Sequence, residues 1–165
     1  MTSWNDILKL GSGLYVACPS EDMPAPDGPR GECLWTIDAT KCATKDTLFS
    51  EFARELRFPS YFGGNWDAFD ECISGLEWLP CQSHLIVILN APHLLKLGKD
   101  FGVFLSILQD SSAEWAGLYP GETLKVVLIV PEHDEAAFCS ELEKAGGMTS
   151  SRISYANDAL RQRIN

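Results

Sequence analysis

Three short apolar runs limit what this chain can fold into: CLWTI at 33–37, HLIVIL at 84–89 and LKVVLIV at 124–130. They are rich in β-branched residues and do not alternate with polar ones. A strand wetted on one face shows alternation, so these strands must be covered on both faces, as in a parallel sheet. Parallel neighbours need a crossover between them, usually a helix. An earlier run, GLYVACP at 13–19, adds an edge strand, set apart by the Pro- and Gly-rich segment 19–32.

Helical spacing fills the gaps. After Asp46, read as an N-cap, come Phe49, Phe52, Ala53 and Leu56, and Pro59 ends the segment. A second helix starts at Asn65, a good N-cap, and carries Trp66, Phe69, Cys72, Ile73 and Leu76. A third runs from about Asp100 to Trp115 on the stripe Phe101, Phe104, Leu105 and Leu108. A fourth, Asp134 to Ala145, stops at Gly146-Gly147, and a more basic end with Arg152, Arg161 and Arg163 follows. Strands alternating with helices give an α/β layered fold: a small parallel three-stranded sheet plus the edge strand. The 165 residues suit a single domain. Right-handed crossovers are expected.

The charge narrows the function. With 23 acidic against 13 basic residues the net charge is -10, the wrong sign for direct nucleic-acid binding, which needs a basic footprint. It suits solubility or a basic partner. The six cysteines, Cys18, Cys33, Cys42, Cys72, Cys81 and Cys139, form no C-x-x-C pair, and His84, His93 and His133 do not stand at zinc spacings from them. Buried free thiols, no metal and no cofactor are expected. The start MTSWNDILKL lacks a basic n-region and a long apolar run, so no signal peptide is read there. No run is long enough for a bilayer. A reducing cytoplasm is the simplest compartment.

The stretch FPSYFGGNWDAFDECISGLEW at 58–78 carries Asp67, Asp70, Glu71 and Glu77, yet no Lys or Arg occurs between Arg57 and Lys96. At about 100° per residue, Phe69, Cys72, Ile73 and Leu76 share one sector of the helix; Asp67 and Glu71 oppose it, with Asp70 on the flank. Asp67 sits in the first turn, where a carboxylate complements the macrodipole. Glu71 lies beyond that reach, and the like-charge i,i+4 pair it makes costs roughly 0.2–0.5 kcal/mol. One Lys would remove that cost, so the pattern points to a positive charge supplied from outside the chain, the alternative being an ordinary solvated face that serves solubility. Ahead of the helix, Pro59 enforces an extended approach and Gly63-Gly64 allow a left-handed turn. Phe62 is expected in the core and Tyr61 outside.

The same stretch resembles the barstar family of ribonuclease inhibitors, through Pro59, Tyr61, Phe62, Gly63, Asn65, Asp67, Ala68, Phe69, Glu71, Cys72 and Gly75. At lower specificity the likeness extends over about 33–130, with 1–32 and 131–165 as extensions. It implies that the loop and second helix plug the active site of a basic ribonuclease-type toxin, carboxylates standing in for substrate phosphates. Tyr61 would be the aromatic contact, Gly63, Gly64 and Asn65 toxin-binding positions of the same loop and helix start, and Asp70 a newly acidic contributor. Asp67 would be a rim or central carboxylate, Glu71 the central plug, and Asp110 the acid contributed by the next helix. In a bacterial setting such a chain is an immunity protein. The sequence departs from the family pattern in four places. Glu71 replaces the central Asp, Asp70 replaces an aromatic and Gly64 replaces an acidic loop residue. Leu76 stands where an aromatic follows the helix, with Trp78 nearby to compensate. These changes fit a different basic toxin met through the same face.

Two other functions stay open. The same charge map would serve a non-catalytic module that binds a basic cellular partner unrelated to toxins. An enzyme is disfavoured: neighbouring carboxylates on one exposed helix lack the apolar pocket that would split their pKa values. None of G-x-S-x-G, P-loop, G-x-G-x-x-G or H-E-x-x-H occurs. The oligomeric state has no signature in the sequence.

Overall fold

The computed structural model describes residues 4–18 and 31–146, and the backbone of 154–155. Its frame is a parallel sheet of β1 (Gly13–Ala17), β2 (Glu32–Asp38), β3 (Ser83–Leu89), β4 (Leu124–Ile129) and the two-residue β5 (Ser154–Tyr155), in the order β2-β3-β4-β1-β5. The three apolar runs are β2, β3 and β4, and every residue of β4 is buried. The run at 13–19, expected at an edge, instead lies inside the sheet, paired with β4 on one side and β5 on the other. Its apolar content is that of an interior strand: Leu14, Tyr15, Val16 and Ala17 are all buried.

The steps β2→β3→β4 all move the same way across the sheet. Right-handed crossovers therefore place their helices on one face. These are α2 (Lys45–Glu55), α3 (Trp66–Gly75) and α4 (Lys99–Leu118), and α5 (Glu135–Gly146) packs with them. Alternation along each strand divides the core in two. Leu14, Val16, Ile37, Ile86, Ile88, Val126 and Leu128 meet the four large helices. Tyr15, Ala17, Leu85, Val87, Val127 and Ile129 point the other way, onto Ile7 of the short α1 (Trp4–Leu8) and Leu10. On that second face Lys125 Nζ pairs with Glu32 at 2.7 Å and donates to the Leu8 carbonyl at 2.9 Å; both charged side chains are under 5% exposed. The N-terminal segment is thus built into the sheet and its second core. No described helix is long and apolar enough to cross a membrane.

Local details refine the sequence reading. Thr44, not Asp46, caps α2, because Thr47 stands three residues on and closes a reciprocal box: each threonine hydroxyl accepts from the other's backbone N–H. α4 begins one residue before and ends three after its expected bounds, and α5 runs one residue later at both ends. The basic residues Arg152, Arg161 and Arg163, and most of the loop 19–32, lie outside the described residues. The expectation of six free thiols fails at Cys33 and Cys81, which are bonded to each other. Register explains this. Cys33 on β2 pairs with His84 on β3, so the turn leading into β3 carries Cys81 to a Cα separation of 5.9 Å from Cys33. Cys18, Cys42, Cys72 and Cys139 are free, and burial pushes the Cys42 thiol up to about 12.

Candidate functional site

The site starts from a platform of rings. Phe49 of α2 meets Phe62 edge-on at 5.7 Å and Trp66 at 4.9 Å. Phe58 meets Phe62 at 4.9 Å and Trp78 at 6.0 Å, again edge-on. Offset and edge-to-face pairs like these add to plain burial and fix ring orientation. The loop 58–64 is therefore anchored from beneath, with Phe58 N–H on the Ala53 carbonyl and Phe62 N–H on the Pro59 carbonyl. Phe62 packs against the core, and Tyr61, its chain neighbour, is 65% exposed. That is the division of labour expected from the sequence.

Gly64 turns the chain into α3 at φ +65°, a conformation that costs other L-residues about 1–2 kcal/mol. Asn65 then caps the helix, its Oδ1 accepting from the Ala68 N–H at 2.9 Å. Gly63 lies just ahead, where a Cβ would stand 3.3 Å from the Asn65 side-chain nitrogen. α3 buries Phe69, Cys72 and Ile73. Asp67, Asp70 and Glu71 are exposed, and so is Glu77 just past the helix. Gly75 is the last helical residue. The left-handed turn falls on Leu76, at φ 50°, which is fully enclosed rather than offered at the surface. Trp78, half-buried beside it, meets Phe58 edge-on and donates its indole N–H to the Leu56 carbonyl at 2.9 Å.

The electrostatics tie loop to helix. Desolvation first, and then the negative groups of Cys72, Glu71 and Glu77, push the Tyr61 phenol above its ordinary value. Tyr61 thus stands within electrostatic reach of Glu71 and keeps its hydroxyl proton as a donor. Among the described residues, the ion pairs join Arg54 to Glu51 and Glu55, Lys125 to Glu32, His133 to Asp134, and Lys144 to Glu141. None involves Asp67, Asp70, Glu71 or Asp110. The acids of α3 are solvated, of one sign and unneutralised by the described part of the chain.

α3 and α4 run parallel, since their contacts advance together: Phe69 meets Phe104, and Ser74 meets Ser111. Asp67 and Glu71 occupy the crest of α3, and Asp70 the flank that leads to α4. Asp110 stands on the neighbouring crest, about 100° around α4 from Ser111. It borders a cleft of about 340 Å³ lined by Ser12, Gly13, Leu14 and Tyr15 of the N-terminal segment with Gln109 and Ala113. The structure thus gathers Tyr61, Gly63, Gly64, Asn65, Asp67, Asp70 and Glu71 into one continuous feature. Asp110 sits across a helix seam from them. Sequence reasoning passed over that seam, made by Ser74, Ser111 and Trp115. Its one signal was a pair of serines, 111 and 112, on the buried stripe of an apolar helix.

A family model described as barstar, the barnase inhibitor, matches residues 34–130. The chain belongs to the barstar family. No curated protein matches it. The matched span holds all but the first two residues of β2, and the whole of α2, the aromatic loop, α3, β3, α4 and β4, so every part of the site lies within it. Outside the barstar match lie α1 and β1 on one side and α5 and β5 on the other.

Proposed function

We propose that the chain is a proteinaceous inhibitor, an immunity protein in a bacterial setting, that occludes the active site of a basic ribonuclease-type toxin. Glu71 is the central plug, flanked by Asp67 and Asp70. Tyr61 is the aromatic contact, held on the turn that Gly63, Gly64 and Asn65 form, and Asp110 is the acid from α4. One observation carries the reading: the carboxylates of α3 stand without a cation from the described chain, on a ring-packed base, inside a barstar-family span. A cationic cleft draws such a face in by long-range attraction. Once docked, each carboxylate needs paired donors, because an unpaired buried charge is costly. The side chain of Glu71 is one methylene longer than the family's Asp, and Asp70 adds charge where the family has a ring. Both support a toxin pocket that differs from barnase in depth and charge.

The test mixes the purified chain with barnase and with the basic nuclease that co-purifies with it from its native source. Stoichiometric loss of nuclease activity is expected with one of them, with association slowed by added salt. Glu71→Ala should weaken binding by about 2–5 kcal/mol, a range that draws on the barnase–barstar pair and so is not independent of this family. Equal inhibition by wild type and Glu71→Ala would remove Glu71 from the plug. If the co-purifying partner is basic but has no nuclease activity, the interaction-module reading stands in place of the inhibitor.

A further inference from the structure

Two helices carry the acidic surface, and their polar contacts converge on a single residue. Ser74, in the last turn of α3, exchanges a hydrogen bond with Ser111 of α4, Oγ to Oγ at 3.0 Å. The Ser74 carbonyl accepts from Trp115 Nε1 at 3.0 Å. Its hydroxyl also lies 3.4 Å from Asp70 Oδ1 as donor. One proton per hydroxyl then orients the chain: Ser111 donates to Ser74, and Ser74 donates to Asp70. Ser111 and Trp115 are four residues apart on α4, so both face the same neighbour. Both are buried, where a donor without an acceptor is costly. The Trp115 ring is itself wedged, edge-on to His84 at 5.4 Å and against Tyr119 at 4.8 Å.

Apolar contacts such as Phe69 on Phe104 hold α3 against α4 by burial, and hydrogen bonds add a sharper constraint on their register. Hydrogen bonds weaken steeply with angle and distance, and two of them meet on one residue here. The start of α3 is already held by Trp66 on Phe49. Its end is held by Ser74. We propose that Ser74, Ser111 and Trp115 are positioning residues that lock α3 to α4, so that Asp67, Asp70 and Glu71 and the Asp110 of the next helix present one rigid surface to the toxin. This deepens the inhibitor reading and rests on it for the identity of the partner. The lock itself is a property of the free chain.

Two variants isolate it. Trp115→Phe keeps a ring between His84 and Tyr119 but removes the indole N–H; Ser111→Ala removes one hydroxyl. Native-state amide hydrogen exchange of the full chain, without any partner, follows the amides of 69–76 in α3 against those of β3 and β4. The lock predicts exchange roughly tenfold faster in α3, the loss of about one hydrogen bond, with the strands unchanged. Equal acceleration everywhere, or none in α3, overturns it. A second arm measures dissociation from barnase, or from the co-purifying nuclease where barnase is not bound. Trp115→Phe should dissociate roughly tenfold faster with an unchanged association rate. Selective loosening of α3 with unchanged dissociation would refute the link from the lock to binding. Selective loosening in a chain whose wild type binds neither nuclease would uphold the lock and sink the inhibitor reading instead.

Discussion

Replacing His84 with Gln and titrating both proteins toward acid isolates the energetics of one buried imidazole. His84 stands on β3 with no exposed surface. Its Nδ1 accepts from Trp35 Nε1 at 3.1 Å, and its Nε2 is buried with no partner. A proton added at Nδ1 would set two donors against each other, and the resulting charge would sit among the indoles of Trp35 and Trp115. Burial accordingly pushes the imidazole from its ordinary 6.5 down to about 4. The unfolded chain therefore takes up this proton before the folded one does, and folding opposes its uptake. The sign follows: the full stability is present above pH 6.5, is lost progressively as pH falls towards about 4, and levels off below that. At about 1.36 kcal/mol per tenfold change in proton affinity, the loss amounts to roughly 3 kcal/mol. A sizeable part of a typical domain's stability is at stake. Urea unfolding midpoints collected from about pH 7.5 to about pH 4 measure it. The carboxylates titrate in both proteins, so the difference between their curves belongs to His84. Gln keeps an acceptor for Trp35 and has nothing to titrate, so its curve should be flatter by that amount. Parallel curves for the two proteins would refute the account of His84 as a neutral, buried base.

Two further outcomes follow from the same geometry. Asn65→Ala removes the cap of α3 and should cost about 1 kcal/mol by denaturant unfolding, with exchange rising first at the amide of Ala68, whose N–H loses its acceptor. Lys125→Met leaves the Glu32 carboxylate buried without its ammonium partner and should cost roughly 3–5 kcal/mol. The double change Lys125→Met with Glu32→Leu should recover most of that loss, and no recovery would mean that the pair acts through something other than charge.

Much of the molecule was legible from local chemistry. β4 announced itself because a strand buried on both faces has no polar alternation to hide behind. Asn65 could be read as a cap because the apolar stripe begins directly after it. Tyr61 and Phe62 sorted themselves by one hydroxyl. The acidic crest of α3 needed only the turn angle of a helix and the count of cations. What stayed hidden was set by neighbours in space. β1 has the composition of any short apolar strand, and only its pairing with β4 and β5 puts it inside the sheet. Cys33 and Cys81 are brought together by the β2–β3 register, which no spacing rule encodes. A helical wheel shows that Ser111 is turned inward but not that Ser74 is waiting for it. Thr44 displaced Asp46 as a cap because a reciprocal pair of threonine bonds outweighs one acidic side chain near the same turn.

The bond between Cys33 and Cys81 spans 48 positions of sequence, and α2, the aromatic loop and α3 all fall between them. The chain segment that carries the exposed Tyr61 is therefore a closed covalent ring hung from the sheet. A protease that clipped it beside Tyr61 would open the ring without releasing either end. Under denaturing conditions the two pieces would run as one covalent molecule until a thiol reductant broke the bond, and in the folded state the rings of Phe49, Phe58 and Phe62 would keep the cut ends seated.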